Sequence, residues 1–348
     1  FSCLLKTCTV KHMKAVAFSS PGPIDRDDSL IDIDVDIPTP GPRDLLVKIH
    51  AVSVNPADVY MRQIMPVEGD YKILGFDGSG VVEAVGPDVE DFRPDDEVYY
   101  SGSTQGQGTN AEFHTVDERI VGRKPATISH AEAAALPLTT LAAWEMLFDR
   151  LDVRRPTADG GNLLLVVGGA GGVGSIAIQL ARVLTDMTII ATASRPETID
   201  WVKKLGAHQV INHRELMEPQ IDALDLGAPG FVLSTNGTGG HLADIASLIA
   251  PQGRFGPIDN VVGLDVSLFG MKSVSIHNEV MFTRSTFQTS DMGEQGRLLT
   301  EVADLVDAGQ ITSTLTEVAG KIDAATLKTA HALVETGNAR GKVVLEGF

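Results

Sequence analysis

At 348 residues, with 43% hydrophobic and 21% charged content, the chain has the length for two domains and a sizeable core. Its 28 basic against 46 acidic residues give a formal charge of −18, which argues against nucleic acid or an anionic membrane surface as partner. The only cysteines, Cys3 and Cys8, cannot staple the fold and no apolar run approaches a membrane span, so a cytoplasmic protein is expected.

Phe1 to His12 reads as a tag, upstream readthrough or disordered leader, because Met13-Lys-Ala-Val-Ala-Phe18 opens directly on a strand. From there to about residue 125 short strands are punctuated by Gly and Pro, most clearly at Leu45–Val54 and Gly80–Val85. That pattern predicts a partly closed antiparallel barrel. Ser129-His-Ala-Glu132 is a capping box opening an alanine-rich helix. Pro137 interrupts it, and a second helix is expected from Thr139 or Thr140 through Leu147. From Asn162 onward the order changes. Strands at 163–167, 188–193, 209–211, 230–234, 254–258 and 273–277 alternate with helices near 173–184, 197–205 and 239–249. This alternation predicts an α/β doubly wound parallel sheet. Helices near 294–308 and 323–336 then precede a last strand, Gly341–Glu346, expected to return to the first domain.

The densest chemical signal lies in the turn after the apolar run Leu163–Val167, where Gly169-x-Gly171-x-x-Gly174 passes directly into an apolar helix. On this reading Gly169 permits the tight turn, Gly171 lets the backbone approach a diphosphate, and Gly174 lets helix and strand pack closely. Ala170, Gly172 and Val173 complete a loop whose helix start offers N–H groups to phosphate. After the second strand, where a carboxylate would select NAD, the chain has Ala193-Ser194-Arg195. Arg195 and Ser194 suit a 2′-phosphate, so NADPH is the expected cofactor; the alternative is that Arg195 is a solvated turn residue before Pro196. Thr139 and Thr140 are placed to reach the nicotinamide side, and Ser234, Thr235 and Asn236 end a strand at the ligand-binding edge. Ile258 ends the next strand, and His213 follows a strand end near the expected adenosine.

The ordered set Val54-Asn-Pro-Ala-Asp-Val-Tyr60, Gly75-Phe-Asp-Gly-Ser-Gly80, Phe92-Arg-Pro-Asp-Asp-Glu-Val98, Ala135-Leu-Pro-Leu-Thr-Thr140, the glycine loop and Lys204-Leu-Gly-Ala-His208 resembles the medium-chain dehydrogenase/reductases. Within that superfamily it is similar to the zinc-free, quinone-oxidoreductase-like branch, often labelled zinc-type alcohol dehydrogenase-like. The resemblance implies a Rossmann domain over residues 139–285 and a GroES-like, partly open β-barrel domain over 13–138 and 286–348. It also implies that Phe282, Thr283, Asn338 and Lys342 belong to segments closing over the cofactor. Zinc dehydrogenases carry a Cys and a Gly-His-Glu where this chain has Asn55 and Gly75-Phe76-Asp77, so no metal is expected.

Without a metal, hydride must pass to an acceptor that tolerates the resulting charge, such as a quinone or a conjugated enone. Asn55 and Tyr60 are the candidate donors to it; otherwise Asn55 caps the turn before Pro56 and Tyr60 lines the cleft. Rival readings are a 2-enoyl-thioester reductase, an alcohol dehydrogenase-like reductase and a non-catalytic NADPH-binding scaffold. His50, His114 and His130 read as satisfied histidines, and the apolar stretch 273–277 suggests a homodimer through a sheet edge.

Overall fold

A computed structural model describes residues 12–259 and 261–348. The leader expected at residues 1–12 lies outside them, except that His12 already belongs to the first strand. Three sheets organise the chain. The smallest joins β1 (His12–Phe18) to β2 (Ile31–Asp36) and to the two-residue β4 (Lys72–Ile73).

The second sheet is built on β3 (Asp44–Val54), which pairs antiparallel with β5 (Asp77–Val85) and β7 (Phe113–Asp117). Strands β6 (Glu97–Ser101) and β8 (Val121–Arg123) continue from β5. Among the described residues no closed barrel forms. The C-terminal β16 (Lys342–Glu346) returns to pair antiparallel with β3 and carries β15 (Leu315–Gly320) parallel to it. That return places Lys342 opposite the end of β3, with Val343 against Val54.

One element of this region differs from the sequence pattern. Residues 56–64, read with the strand-rich region, form helix α1 (Pro56–Ile64). The reason is local: Pro56 supplies a preset first helical position, and Asp58 accepts the Asn55 backbone N–H at 2.8 Å. The capping box at Ser129 starts α2 (His130–Ala134) as expected. The next helix, α3 (Pro137–Trp144), begins on Pro137 itself, two or three residues earlier than expected, because proline lacks only an N–H that the first turn leaves unpaired. A π-helical turn, Glu145–Arg150, extends it.

The third sheet is fully parallel in the order β11 (Gln209–Ile211), β10 (Thr188–Thr192), β9 (Leu163–Val167), β12 (Phe231–Ser234), β13 (Arg254–Pro257), β14 (Ser275–Ile276). All five residues of β9 are buried, since helices cover both faces. Those helices are α4 (Gly172–Leu184), α5 (Pro196–Lys204), α6 (Met217–Ala223) and α7 (Thr238–Leu248). The expected strand 273–277 shrinks to two residues because Ser273 adopts φ +51° at the end of the preceding 3-10 turn.

Helix α8 (Thr283–Phe287) leads to α9 (Glu294–Asp307), which lies against β8, and α10 (Ala324–Glu335) packs on α1. The two larger sheets meet where β9 turns into α4. There Gly171 bridges to Gly341, and the Gly341 N–H donates to Ala170 O at 2.9 Å. The glycine loop and the start of β16 are therefore in direct contact.

Candidate active site

The loop between β9 and α4 divides its work among glycines differently from the sequence reading. The positive φ, +78°, falls on Gly168, and Thr235 Oγ1 occupies the space where a Cβ would stand. The tight turn is therefore a property of Gly168, not of Gly169. A Cβ on Gly169 would lie 2.9 Å from the Ala191 Cβ, so that residue is small for packing. At Gly174 the added carbon would lie 2.4 Å from Gly168 O, which fixes close helix–strand contact. Gly171 differs: an added Cβ would meet only Gly168 O, at 3.5 Å, leaving its outer side open beside the first-turn N–H groups of α4.

The loop is pinned from both sides. Gly168 N donates to Thr192 Oγ1 at 2.9 Å, and Thr235 Oγ1 donates to Val167 O at 3.0 Å. His213 Nδ1 lies 3.1 Å from the same Thr192 hydroxyl, and burial lowers its pKa.

Beside the loop stands a buried polar cluster. Asp77, at the start of β5, is fully buried. Its Oδ2 accepts from Ser53 Oγ at 2.6 Å, Asn55 Nδ2 at 2.8 Å and Lys342 Nζ at 3.2 Å. Its Oδ1 accepts the Leu138 backbone N–H at 2.7 Å, so the carboxylate also caps α3 at its positive end. Lys342 Nζ donates to Asn55 Oδ1, to Val54 O at 3.1 Å and to Asp77, which uses all three ammonium protons. Burial pushes the neighbouring Asp58 carboxyl up to about 7, and Asp77 adds to the effect. Contact with the loop is direct, since a Cβ on Gly172 would lie 3.0 Å from both Lys342 Cδ and Thr139 Cγ2.

An aromatic pair adjoins the cluster. Phe76 and Phe282 are buried with ring centroids 4.5 Å apart at 46°. Thr104 and Thr286 hydroxyls bond at 2.9 Å and tie α8 to the turn before β7.

Residues 41–138 match the alcohol dehydrogenase GroES-like domain and residues 172–308 the zinc-binding dehydrogenase domain. A zinc-type alcohol dehydrogenase-like protein of Staphylococcus aureus is 36% identical over 338 residues, covering 96% of this chain and 99% of the relative. The chain belongs to the medium-chain dehydrogenase/reductase superfamily. Among solved structures, a candidate zinc-dependent alcohol dehydrogenase from Rhizobium etli shares 58% identity at TM-score 0.96, covering 97% of this chain and 99% of that one. The quinone oxidoreductase of Coxiella burnetii shares 26% identity at TM-score 0.78, covering 97% of this chain and 100% of its own. This chain is thus an oxidoreductase of that superfamily, whose Rossmann fold binds a nicotinamide cofactor.

Of the residues singled out in this dehydrogenase/reductase chain, several converge. Arg195, at the start of α5, donates from Nη2 to Asn338 O at 3.1 Å and from Nε to Glu197 Oε1 at 2.7 Å. Asn236 reaches the same loop, with its Nδ2 beside Gly337. Lys342 does not close over the loop from outside; it is buried in the polar cluster. Thr139 Oγ1 donates to Leu136 O at 3.0 Å, whereas the buried Thr140 hydroxyl has no partner among the described residues. Ser194 is half-buried after β10, and Ile258 packs on the main core.

Others stand apart. Ser234 Oγ bonds Thr238 Oγ1 at 2.7 Å, and the Thr283 backbone N–H donates to Val280 O. Tyr60 is 47% exposed on α1 and makes no contact with the polar cluster through any described hydrogen bond.

Sequence reasoning missed Gly168, Ser53, Thr192 and Asp58. A second glycine beside Gly169 was the visible hint for the first, and the Asn55-Pro-Ala-Asp58 spacing was the hint for Asp58; nothing marked Ser53 and Thr192, which act through tertiary contacts. His114 and His130 are hydrogen-bonded, while His50 stacks on His130 with ring centroids 4.5 Å apart. Burial lowers His114 to about 4 where it bonds Tyr100 and Gln107, and lowers His130 to about 4 where it bonds Ser79.

Proposed function

We propose that this chain is an NADPH-dependent, zinc-independent oxidoreductase that passes hydride to a quinone or conjugated enone. When bound, the reduced nicotinamide supplies the hydride. The open side of Gly171 and the start of α4 receive the diphosphate. Arg195 uses three of its five N–H donors on Glu197 and Asn338 and keeps two for a 2′-phosphate.

The observation that carries the reading is the paired state of the polar cluster beside an aromatic wall. The residues do not fit a zinc ion. Asp77 already accepts from four donors, Lys342 presents a positive charge against Asn55 and Asp77, and Phe76 has no lone pair. A plain alkoxide would lack a Lewis acid there. A planar conjugated acceptor spreads its own charge and suits the Phe76–Phe282 surface. The name of the Coxiella burnetii quinone oxidoreductase supports the same acceptor class.

Loss of reduced-nicotinamide absorbance tests this, with NADPH and NADH against quinones, enones and aldehydes, with and without chelator. Chelator-insensitive turnover of a quinone or enone, faster with NADPH, is expected. Chelator-sensitive alcohol oxidation overturns it, and tight cofactor binding with no turnover favours the scaffold. The reading includes a homodimer, because β14 ends the six-strand order beside the exposed Val262, Val266 and Met271; sedimentation of the purified chain tests it.

A further inference from the structure

We propose that Glu145 and Glu279 form a proton-sharing carboxyl pair that pins the Met281–Phe282 segment, so that acceptor binding weakens when the pair is fully ionised. The effect on the acceptor rests on the oxidoreductase reading, whereas the pair itself rests on the side chains alone. Glu145 opens the π-helical turn after α3, and Glu279 lies in the stretch between β14 and α8. Both side chains are fully buried. π-Helical turns are rare and occur frequently at functional sites.

Hydrogen-bond accounting calls for the proton. Glu145 Oε1 accepts from Gln295 Nε2 at 2.9 Å. Glu145 Oε2 and both Glu279 oxygens have no hydrogen-bond partner among the described residues. Two ionised carboxylates offer only acceptors, and one O–H from Glu279 to Glu145 Oε2 supplies the missing donor. Charge points the same way. Arg150 Nε lies 2.7 Å from Glu279 Oε2 but is not aligned as a hydrogen bond. The Arg284 guanidinium is divided among Glu145 at 2.9 Å, Asp149 at 3.0 Å and Asp291 at 3.0 Å. Two guanidinium groups thus face four carboxyl groups, and a proton on the innermost pair reduces the excess. Burial, and after it the Glu145 charge, push the Glu279 carboxyl up to about 8. His277, the other titratable group on this stretch, is lowered by burial, Arg254 and Arg150, so its charge does not change on the alkaline side.

One side chain wires the pair to the aromatic wall. Gln295 Nε2 gives its second N–H to Met281 O at 2.6 Å, next to Phe282, whose ring meets Phe76. Glu279 itself stands three residues before Phe282. Loss of the proton leaves two like charges in contact in a buried site. Glu145 is held within the helical run that starts at Pro137, so the irregular stretch carrying Glu279 and Phe282 is the part that yields. The shared proton therefore makes Glu145 and Glu279 positioning residues, and neither supplies a proton to the acceptor.

Two spectra and one rate profile test the pair. In the cofactor-free, full-length chain labelled with 13C-glutamate, the infrared spectrum at about pH 7 should show a protonated-acid carbonyl stretch. It should move with the label, which separates it from Asp58, and vanish with a midpoint of about 8. Its absence overturns the shared proton. Labelling with para-fluorophenylalanine places a 19F resonance on Phe282, assigned by its loss in Phe282→Leu. That resonance should shift with the same midpoint and stay fixed in Glu279→Gln, whose amide donates to Glu145 at every pH. A resonance that ignores the titration overturns the positioning. In turnover, KM for a reducible quinone should rise at least about threefold from about pH 7 to about pH 9, with kcat within about twofold. A flat KM, or a rise that persists in Glu279→Gln, overturns the link to the acceptor. If Glu279→Gln does not fold, the three wild-type midpoints must agree within about half a pH unit, and disagreement overturns the proposal. A wild-type chain that turns over no acceptor removes the proposed function, while the two spectra still decide the pair.

Discussion

The glycine loop and the Asn55–Asp77–Lys342 cluster lie one side chain apart, yet they are built on opposite principles. The loop spans consecutive residues, acts through backbone, and owes its shape to missing carbons at Gly168, Gly169 and Gly174. The cluster acts through side chains drawn from three strands and a helix start, with Lys342 arriving 287 residues after Asn55. The loop tolerates no added atom at Gly168, Gly169 or Gly174, while the cluster tolerates no unpaired charge. The two failures should differ in kind, one in ligand binding and one in stability.

The largest separation is expected from Gly174→Val. Its Cβ would lie 2.4 Å from Gly168 O and 2.7 Å from Gly169 Cα, both backbone, so α4 must lift away from β9. Binding of NADPH, followed by fluorescence titration, should weaken by about 100-fold or more, roughly 2.7 kcal/mol. Binding within about threefold of the wild type would mean that the loop can relax and that its packing does not set affinity.

Asp77→Asn is the matching change in the cluster. It keeps the shape and a carbonyl for the Leu138 N–H, but leaves the buried Lys342 ammonium without its carboxylate. Removing one partner of a buried ion pair costs about 3–5 kcal/mol. Urea denaturation should show that loss, and a loss below about 1 kcal/mol would mean that the remaining acceptors solvate the ammonium adequately.

This contrast also explains what could be read in advance. The parallel sheet, helices α4, α5 and α7 and the glycine turn were legible because each depends on neighbours in sequence: an apolar run, a turn, an apolar helix. The short α6 was not expected. The assignment of the tight turn to Gly169 failed by one residue because Gly168 and Gly169 are indistinguishable until Thr235 and Ala191 close on them from other strands. Helix α1 was hidden by its strand-rich surroundings, although Pro56 and Asp58 encode its start. Lys342 was singled out as a cofactor contact; its actual partners became visible only when β16 paired with β3. The capping role of Asp58 was encoded locally, but its raised pKa was not, since burial is what changes it.

Asp58 sharpens the comparison through pH. Its folded carboxyl titrates near 7 against an ordinary 3.8, so between those values the folded chain holds a proton that the unfolded chain has released. Stability from this group is therefore present below about pH 4 and lost as pH rises toward 7, at up to about 1.4 kcal/mol per unit. Asp58→Asn can still accept the Asn55 N–H and does not titrate, so its unfolding free energy should fall less steeply over that window. Parallel slopes for the two proteins would show that Asp58 is ionised in the fold.

The smallest effect is expected at the solvent-facing end of the cofactor groove, where neither principle is strict. Arg195 is held by Asn338 and by Glu197, whose carboxyl is kept below its ordinary range by its own backbone N–H and by Arg195. Arg195→Ala should weaken NADPH by about tenfold and leave NADH within about twofold, because only the former carries the 2′-phosphate. Glu197→Gln should do the reverse and tighten NADPH by about twofold, since the carboxylate both repels the phosphate and competes for the guanidinium. Raising the salt should shrink both changes, as it does for exposed charges and does not for buried ones. Equal losses of NADPH and NADH in Arg195→Ala would make Arg195 a support for the Asn338 loop and leave the choice between the two cofactors to other residues.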